Sequence, residues 1–116
     1  MAGPSPLNYF LVPSITSEIA VVLQAVPGFE DAIDEAKARV LGGQSMCFEI
    51  LSENQLVGAA ICTFESRFGH NTLYMDALGG TSPEGTGIIT ATGRAMVDIA
   101  SKMGAEVIRC ESRAWA

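Results

Sequence analysis

The sequence predicts one α/β (α+β) domain, a mixed and mostly antiparallel sheet flanked by helices, and three observations predict it. Three runs rich in strand formers, Ser45–Leu51, Leu56–Glu65 and Thr72–Leu78, follow one another with only short polar stretches between them, which makes an antiparallel meander. Helical periodicity precedes the runs and returns after them. The chain then closes with a strand–loop–helix–strand crossover, which makes the sheet mixed.

Composition sets the frame. The 116 residues suit one domain, and 48% hydrophobic against 17% charged residues is the balance of a packed core. The net charge of −6 repels phosphate backbones and argues against nucleic acid as a partner. Cys47, Cys62 and Cys110 are odd in number, far apart and set in apolar runs, so they read as buried reduced thiols, not as disulfides or metal ligands. No signal peptide and no apolar run of about 18 residues is present, so the expectation is a cytoplasmic chain with no membrane partner.

In order, residues 1–14 carry Pro4, Pro6 and Pro13 and read as an extended arm with a short strand at Tyr9–Val12; residues 15–116 form the domain. Ser14 is placed as the N-cap of a short apolar helix that Pro27-Gly28 stops. A second helix follows, with Phe29, Ile33, Ala36 and Val40 on one stripe, acids leading, bases trailing and Gly42-Gly43 ending it. Ser52–Gln55 is a four-residue polar turn closing a hairpin, and Ser66–Asn71 is a polar loop. The nine residues Gly79–Gly87 read as a loop. The longest helix carries Ile88, Ala91, Ala95, Ile99 and Met103 on its apolar stripe, Gly93 within it and Gly104 at its end; Ala105–Ser112 is the last strand.

With these elements in place, a resemblance becomes visible. The stretch from Pro83 through Gly85-Thr86-Gly87 into the long helix and the Met103-Gly-Ala turn resembles the coenzyme-binding segment of the GNAT (Gcn5-related N-acetyltransferase) family, and Glu53-Asn-Gln-Leu-Val-Gly-Ala-Ala is similar to that family's hairpin. The resemblance covers about residues 15–113 and implies a shortened GNAT-like fold, with acetyl-CoA held by the Gly85, Thr86 and Gly87 N–H groups at a helix N-terminus. It also implies a general base, for which Asp76 and Glu65 are the candidates, and a tyrosine acid, whose usual segment after the last strand is missing from this sequence. His70 stands in a polar loop without an Asp or Ser partner and reads as a surface residue.

Two departures from the family's pattern bear on the cofactor. Its arginine or glutamine position falls on Glu84, an acid where a pyrophosphate would lie, and its last small position falls on Ile89. A narrower resemblance, carried by Val40-Leu-Gly-Gly, Gly79-Gly80 and the tail from Gly104-Ala to Arg113-Ala-Trp, is to small GNAT-like proteins of tailed bacteriophages. Together these imply a degenerate GNAT-like module that binds no cofactor and serves as a structural or interaction protein, with virion proteins, other subunits or a second copy as partner. The alternative is an acetyl-CoA-dependent N-acyltransferase acting on a basic amine.

Overall fold

The computed structural model describes residues 7–26, 28–80 and 96–110. Strand β1 (Leu7–Val12) leads into helices α1 (Ser17–Gln24) and α2 (Ile33–Leu41). Strands β2 (Met46–Ser52), β3 (Gln55–Arg67) and β4 (His70–Gly80) follow, then a helix α3, described over residues 96–102, and β5 (Val107–Cys110). The sheet runs β1-β2-β3-β4-β5, antiparallel at its first three junctions and parallel between β4 and β5. This is the mixed, mostly antiparallel sheet that the meander and crossover predict.

Local chemistry moves several boundaries. Thr16, not Ser14, caps α1: its backbone is extended and its Oγ1 accepts the Ile19 N–H at 3.2 Å, which satisfies one of the helix's free donors. Phe29 precedes α2 in a turn and Ile33 opens the helix. At the other end, Gly43 adopts φ +77°, Gln44 N–H donates to the Arg39 carbonyl at 2.8 Å and Gly43 N–H to the Val40 carbonyl at 3.2 Å, a Schellman closure.

Both hairpin turns are tighter than the polar stretches imply. Ser52 pairs with Gln55, so only Glu53 and Asn54 turn, at φ 51° and 66°. Arg67 pairs with His70, leaving Phe68 and Gly69 (φ 49° and 79°) as the whole connection where a six-residue loop was expected. Ser66, Arg67, His70 and Asn71 extend the two strands beyond the core, and polar side chains suit that exposed ladder.

Gly79 and Gly80 correct the sequence reading further, because they belong to β4 and pair with Ala59 and Gly58. Glycine at 79 admits α1 and the turn after it: the Val22 carbonyl of the helix and the Val26 side chain just past its end press onto the strand. The rest of the expected loop, residues 81–87, and the first part of the long helix lie outside the described residues.

Two cores sandwich the sheet. On one face Ile19, Leu23, Val26, Ile33, Ala36 and Val40 from α1 and α2 meet Cys47, Ala59, Ile61 and Ala77. On the other, Met96 and Ala100 of α3 meet Phe48, Ile50, Cys62, Leu73, Met75 and Leu78. Ile99 and Met103, expected on the apolar stripe, are partly buried and pack against this core.

Candidate functional site

Strand β4 alternates regularly until Met75. Leu73 and Met75 face α3, yet Ala77 packs under α1 and α2 and Leu78 returns to the α3 side. The register explains this: Cys62 pairs with Met75 and Ile61 with Ala77, so Asp76 is the extra residue of a β-bulge. The bulge turns Asp76 and Ala77 to the same face and sets the Asp76 carboxylate in a hollow of about 270 Å³. Phe29, Ala32, Glu35, Ala36 and Arg39 form the helical wall of that hollow; Ser45 and Ile61 complete it.

A chain of hydrogen bonds runs from α2 through the α2–β2 connection and β3 to the carboxylate on β4. Arg39 Nε lies 3.1 Å from Ser45 Oγ, Ser45 Oγ lies 3.0 Å from Thr63 Oγ1, and Thr63 Oγ1 donates to Asp76 Oδ2 at 2.5 Å. The Schellman closure of α2 seats the first link, because Ser45 N–H also donates to the Arg39 carbonyl at 3.2 Å. Ser45 itself is buried, 5% exposed, so its hydroxyl depends on these protein partners.

The residue Asp76 is open to solvent on one side, while its carboxyl end is shielded by the hollow's walls. Burial raises its pKa above the ordinary value; the Thr63 hydrogen bond and the Arg39 guanidinium pull in the opposite direction without cancelling it. A carboxylate of raised basicity, still reachable from water, is chemically a proton acceptor.

Of the residues singled out from sequence, Asp76 therefore occupies the hollow. Glu65 lies two residues past Thr63 on β3 and is ion-paired to Arg67. His70 has a partner that the sequence reading missed: its Nδ1 is 3.5 Å from Glu106 Oε2, with both side chains exposed. Gly85, Thr86 and Gly87, with Glu84, Ile89 and Gly93, lie outside the described residues. Arg39, Ser45 and Thr63 were not anticipated. One sequence signal could have found Thr63, a hydroxyl in register with Ala59 and Ile61 on an otherwise apolar strand face.

Among the described residues β5 pairs with β4 only from Thr72 to Met75, whereas β4 continues through Gly80. The bulge follows directly on the last described pair between the two parallel strands, Met75 with Cys110.

No protein-family model matches the chain, and no curated protein matches it. Solved structures do. The ribosomal-protein-alanine N-acetyltransferase of Brucella melitensis biovar Abortus 2308 superposes with a TM-score of 0.71 at 16% identity, over 91% of this chain and 79% of that one. AAC(6')-Iy, in complex with a CoA-containing bisubstrate analogue, gives 0.67 at 13% identity over 93% and 80%. A predicted acetyltransferase from Clostridium acetobutylicum, solved with acetyl-CoA, gives 0.60 at 13% over 92% and 81%. The fold is the GNAT fold. In this GNAT-like chain the likeness rests on architecture alone, since the identities lie far below those that carry function. No helix among the described residues is long and apolar enough to cross a membrane.

Proposed function

We propose that this chain is an acyl-CoA-dependent N-acyltransferase that acylates a basic amine, with Asp76 as the general base. The observation that carries the reading is the bulged Asp76, a carboxylate of raised pKa set in an open hollow under α2. That its structural neighbours are acetyltransferases favours an enzyme over the structural module expected from Glu84 and Ile89.

Acetyl-CoA is the acyl donor this reading requires, and neighbours of the same fold were solved with a CoA-containing analogue and with acetyl-CoA. Gly85, Thr86 and Gly87 would hold its pyrophosphate. Bound there, the coenzyme supplies an acyl group activated as a thioester.

The chain's own residues do the rest. Glu35 and Asp76 make the hollow favourable to a cation, in keeping with the acidic whole. An ammonium bound there passes its proton to the Asp76 carboxylate, which frees the nitrogen lone pair for attack. Phe29, Ala36 and Ile61 line the apolar part of the site and limit water around the amine.

Calorimetric titration with acetyl-CoA and an acetyl-transfer assay over a panel of primary amines and polyamines test this reading. Micromolar binding is expected, with turnover that falls roughly 10²- to 10⁴-fold in Asp76→Asn. Absence of acetyl-CoA binding would overturn the reading.

A second reading, an interaction module, has one observation in its favour: Phe10 and Leu11, 49% and 62% exposed, stand on β1 at the end of the sheet. It predicts a complex in solution that a Leu11→Lys substitution dissolves, without acetyl-CoA binding. Nothing in the described residues or the neighbours supports a phage origin.

A further inference from the structure

The hydrogen bonds that end on Asp76 have a direction. An ionised carboxylate only accepts, so the single Thr63 hydroxyl proton goes to Asp76 Oδ2. Thr63 must then accept from Ser45, which spends its own proton on Thr63 and accepts from Arg39 Nε–H. Every link donates toward Asp76. The far end is a guanidinium, which keeps its proton at any physiological pH.

We infer that Arg39, Ser45 and Thr63 form a one-way, dead-ended donor chain that clamps Asp76 Oδ2 and leaves Oδ1 as the atom that takes the substrate's proton. The inference rests on the reading of Asp76 as the base and assigns Arg39, Ser45 and Thr63 as positioning residues. The two carboxylate oxygens are not equivalent. Oδ2 is engaged by Thr63, while Oδ1 has no hydrogen-bond partner among the described residues.

A proton arriving on Oδ1 leaves all three links intact, because Thr63 can go on donating to Oδ2. It cannot travel down the chain, since each hydroxyl already donates toward Asp76 and the guanidinium cannot accept. The chain therefore holds and polarises the base but does not shuttle; the proton leaves from Oδ1 to water through the open side of the hollow. Cooperative polarisation along aligned donors adds to the effect of the final hydrogen bond.

The arrangement separates a through-bond influence of Arg39 from a through-space one. Other titratable groups lie near Asp76: Glu35 shares α2's wall of the hollow, and the Cys62 thiol, packed on the opposite face of the sheet, is held protonated by burial and by the Asp76 charge. None of these is altered by substitutions in the chain.

The test follows the Asp76 carboxyl by carbon-13 NMR titration, alongside the pH profile of acetyl transfer, in the full-length protein. Thr63→Val should move the Asp76 titration upward and lower kcat roughly ten- to a hundredfold, the effect of one lost charge-assisted hydrogen bond. Thr63→Ser should restore both. Ser45→Ala, which keeps the Arg39 charge, should also move the titration upward. Arg39→Lys keeps the charge but not the planar Nε donor, so it should behave like Arg39→Gln.

A Ser45→Ala variant that titrates as wild type while Arg39→Gln shifts would overturn the chain, since Arg39 would then act through space. An unchanged titration in Thr63→Val would overturn it outright. If the titrations respond as expected but no variant, nor the wild type, transfers acetyl groups, the clamp on Oδ2 stands and the acyltransferase reading falls. The conservative variants Thr63→Ser and Arg39→Lys keep the test valid should Ser45→Ala, at a buried site, fail to fold.

Discussion

A β-carbon placed on Gly79 would lie 2.8 Å from Val26 Cγ2 and 2.9 Å from the Val22 carbonyl oxygen. Real β-carbons do not approach that closely, so α1 rests directly on the backbone of β4 at this point. Gly79→Ala should lower stability by about 1–3 kcal/mol, the usual penalty of overpacking a tight core. Urea denaturation measures it. Adding Val26→Ala to Gly79→Ala should recover none or only part of the loss, because the Val22 carbonyl is backbone and cannot be trimmed.

Gly43 has the opposite character. Nothing lies within 4 Å of a β-carbon there, yet its φ of +77° is a region that side chains rarely adopt. Gly43→Ala should cost about 1 kcal/mol through backbone strain alone, and Gly43→Asn should cost less. Thermal melts of both variants check this.

Burial raises the Asp76 carboxyl above its ordinary value of 3.8, against the lowering by Thr63 and Arg39. Between the unfolded and folded pKa the native state binds more proton than the unfolded chain, so stability falls as pH rises through that window. The charge thus remains a net burden at neutral pH. Asp76→Asn removes it and keeps an oxygen for Thr63, so its Tm should exceed the wild-type value at pH 7. The two melting curves should converge as pH falls below the ordinary carboxylate range. Because Asp76 is partly open to solvent, the difference should be small.

Cys47 and Cys62 are fully buried, and burial, the dominant cause in each case, pushes their pKa to about 11 and about 12. In a Cys110→Ser background the folded protein should therefore resist maleimide or disulfide reagents at pH 8, where thiolate would otherwise react. Mass spectrometry should find both thiols labelled in parallel with urea unfolding. Rapid labelling under native conditions would contradict the packing of Cys62 Sγ against Met75 Sδ and Met96 Sδ at 3.7 and 3.8 Å.

The parts of the fold that were legible in the sequence are those where local preference and tertiary demand agree. Helix α2 announces itself by Ile33, Ala36 and Val40, its charge order and Gly42-Gly43; the β2–β3 hairpin does so by its strand formers. The misreadings arise where the two diverge. Gly79-Gly80 resembles punctuation, but glycine is there to admit a helix, a reason visible only once α1 is docked. Ser66–Asn71 resembles a loop because its strands project past the core, where polar residues serve a ladder as well as a turn.

The site was legible only at its centre. Asp76 is recognisable as a lone acid in an apolar strand. Successive links to its partners span 13, 18 and 6 residues, reaching β3, the α2–β2 connection and α2, and serine, threonine and arginine are too common at such positions to stand out. Their meaning comes from a register shift that no periodicity displays. Met75, Asp76 and Ala77 look like an ordinary continuation of the strand.

That bulge has a further implication. Striking out Asp76 from the β4 sequence would leave Leu73, Met75 and Leu78 facing one helix layer and Ala77 and Gly79 facing the other, an unbroken alternation. Asp76 is thus a passenger inserted into a strand already complete without it. Architecture and chemistry are separately editable in this molecule: the acid can be removed, or another side chain carried in its place, while the two cores keep their pattern.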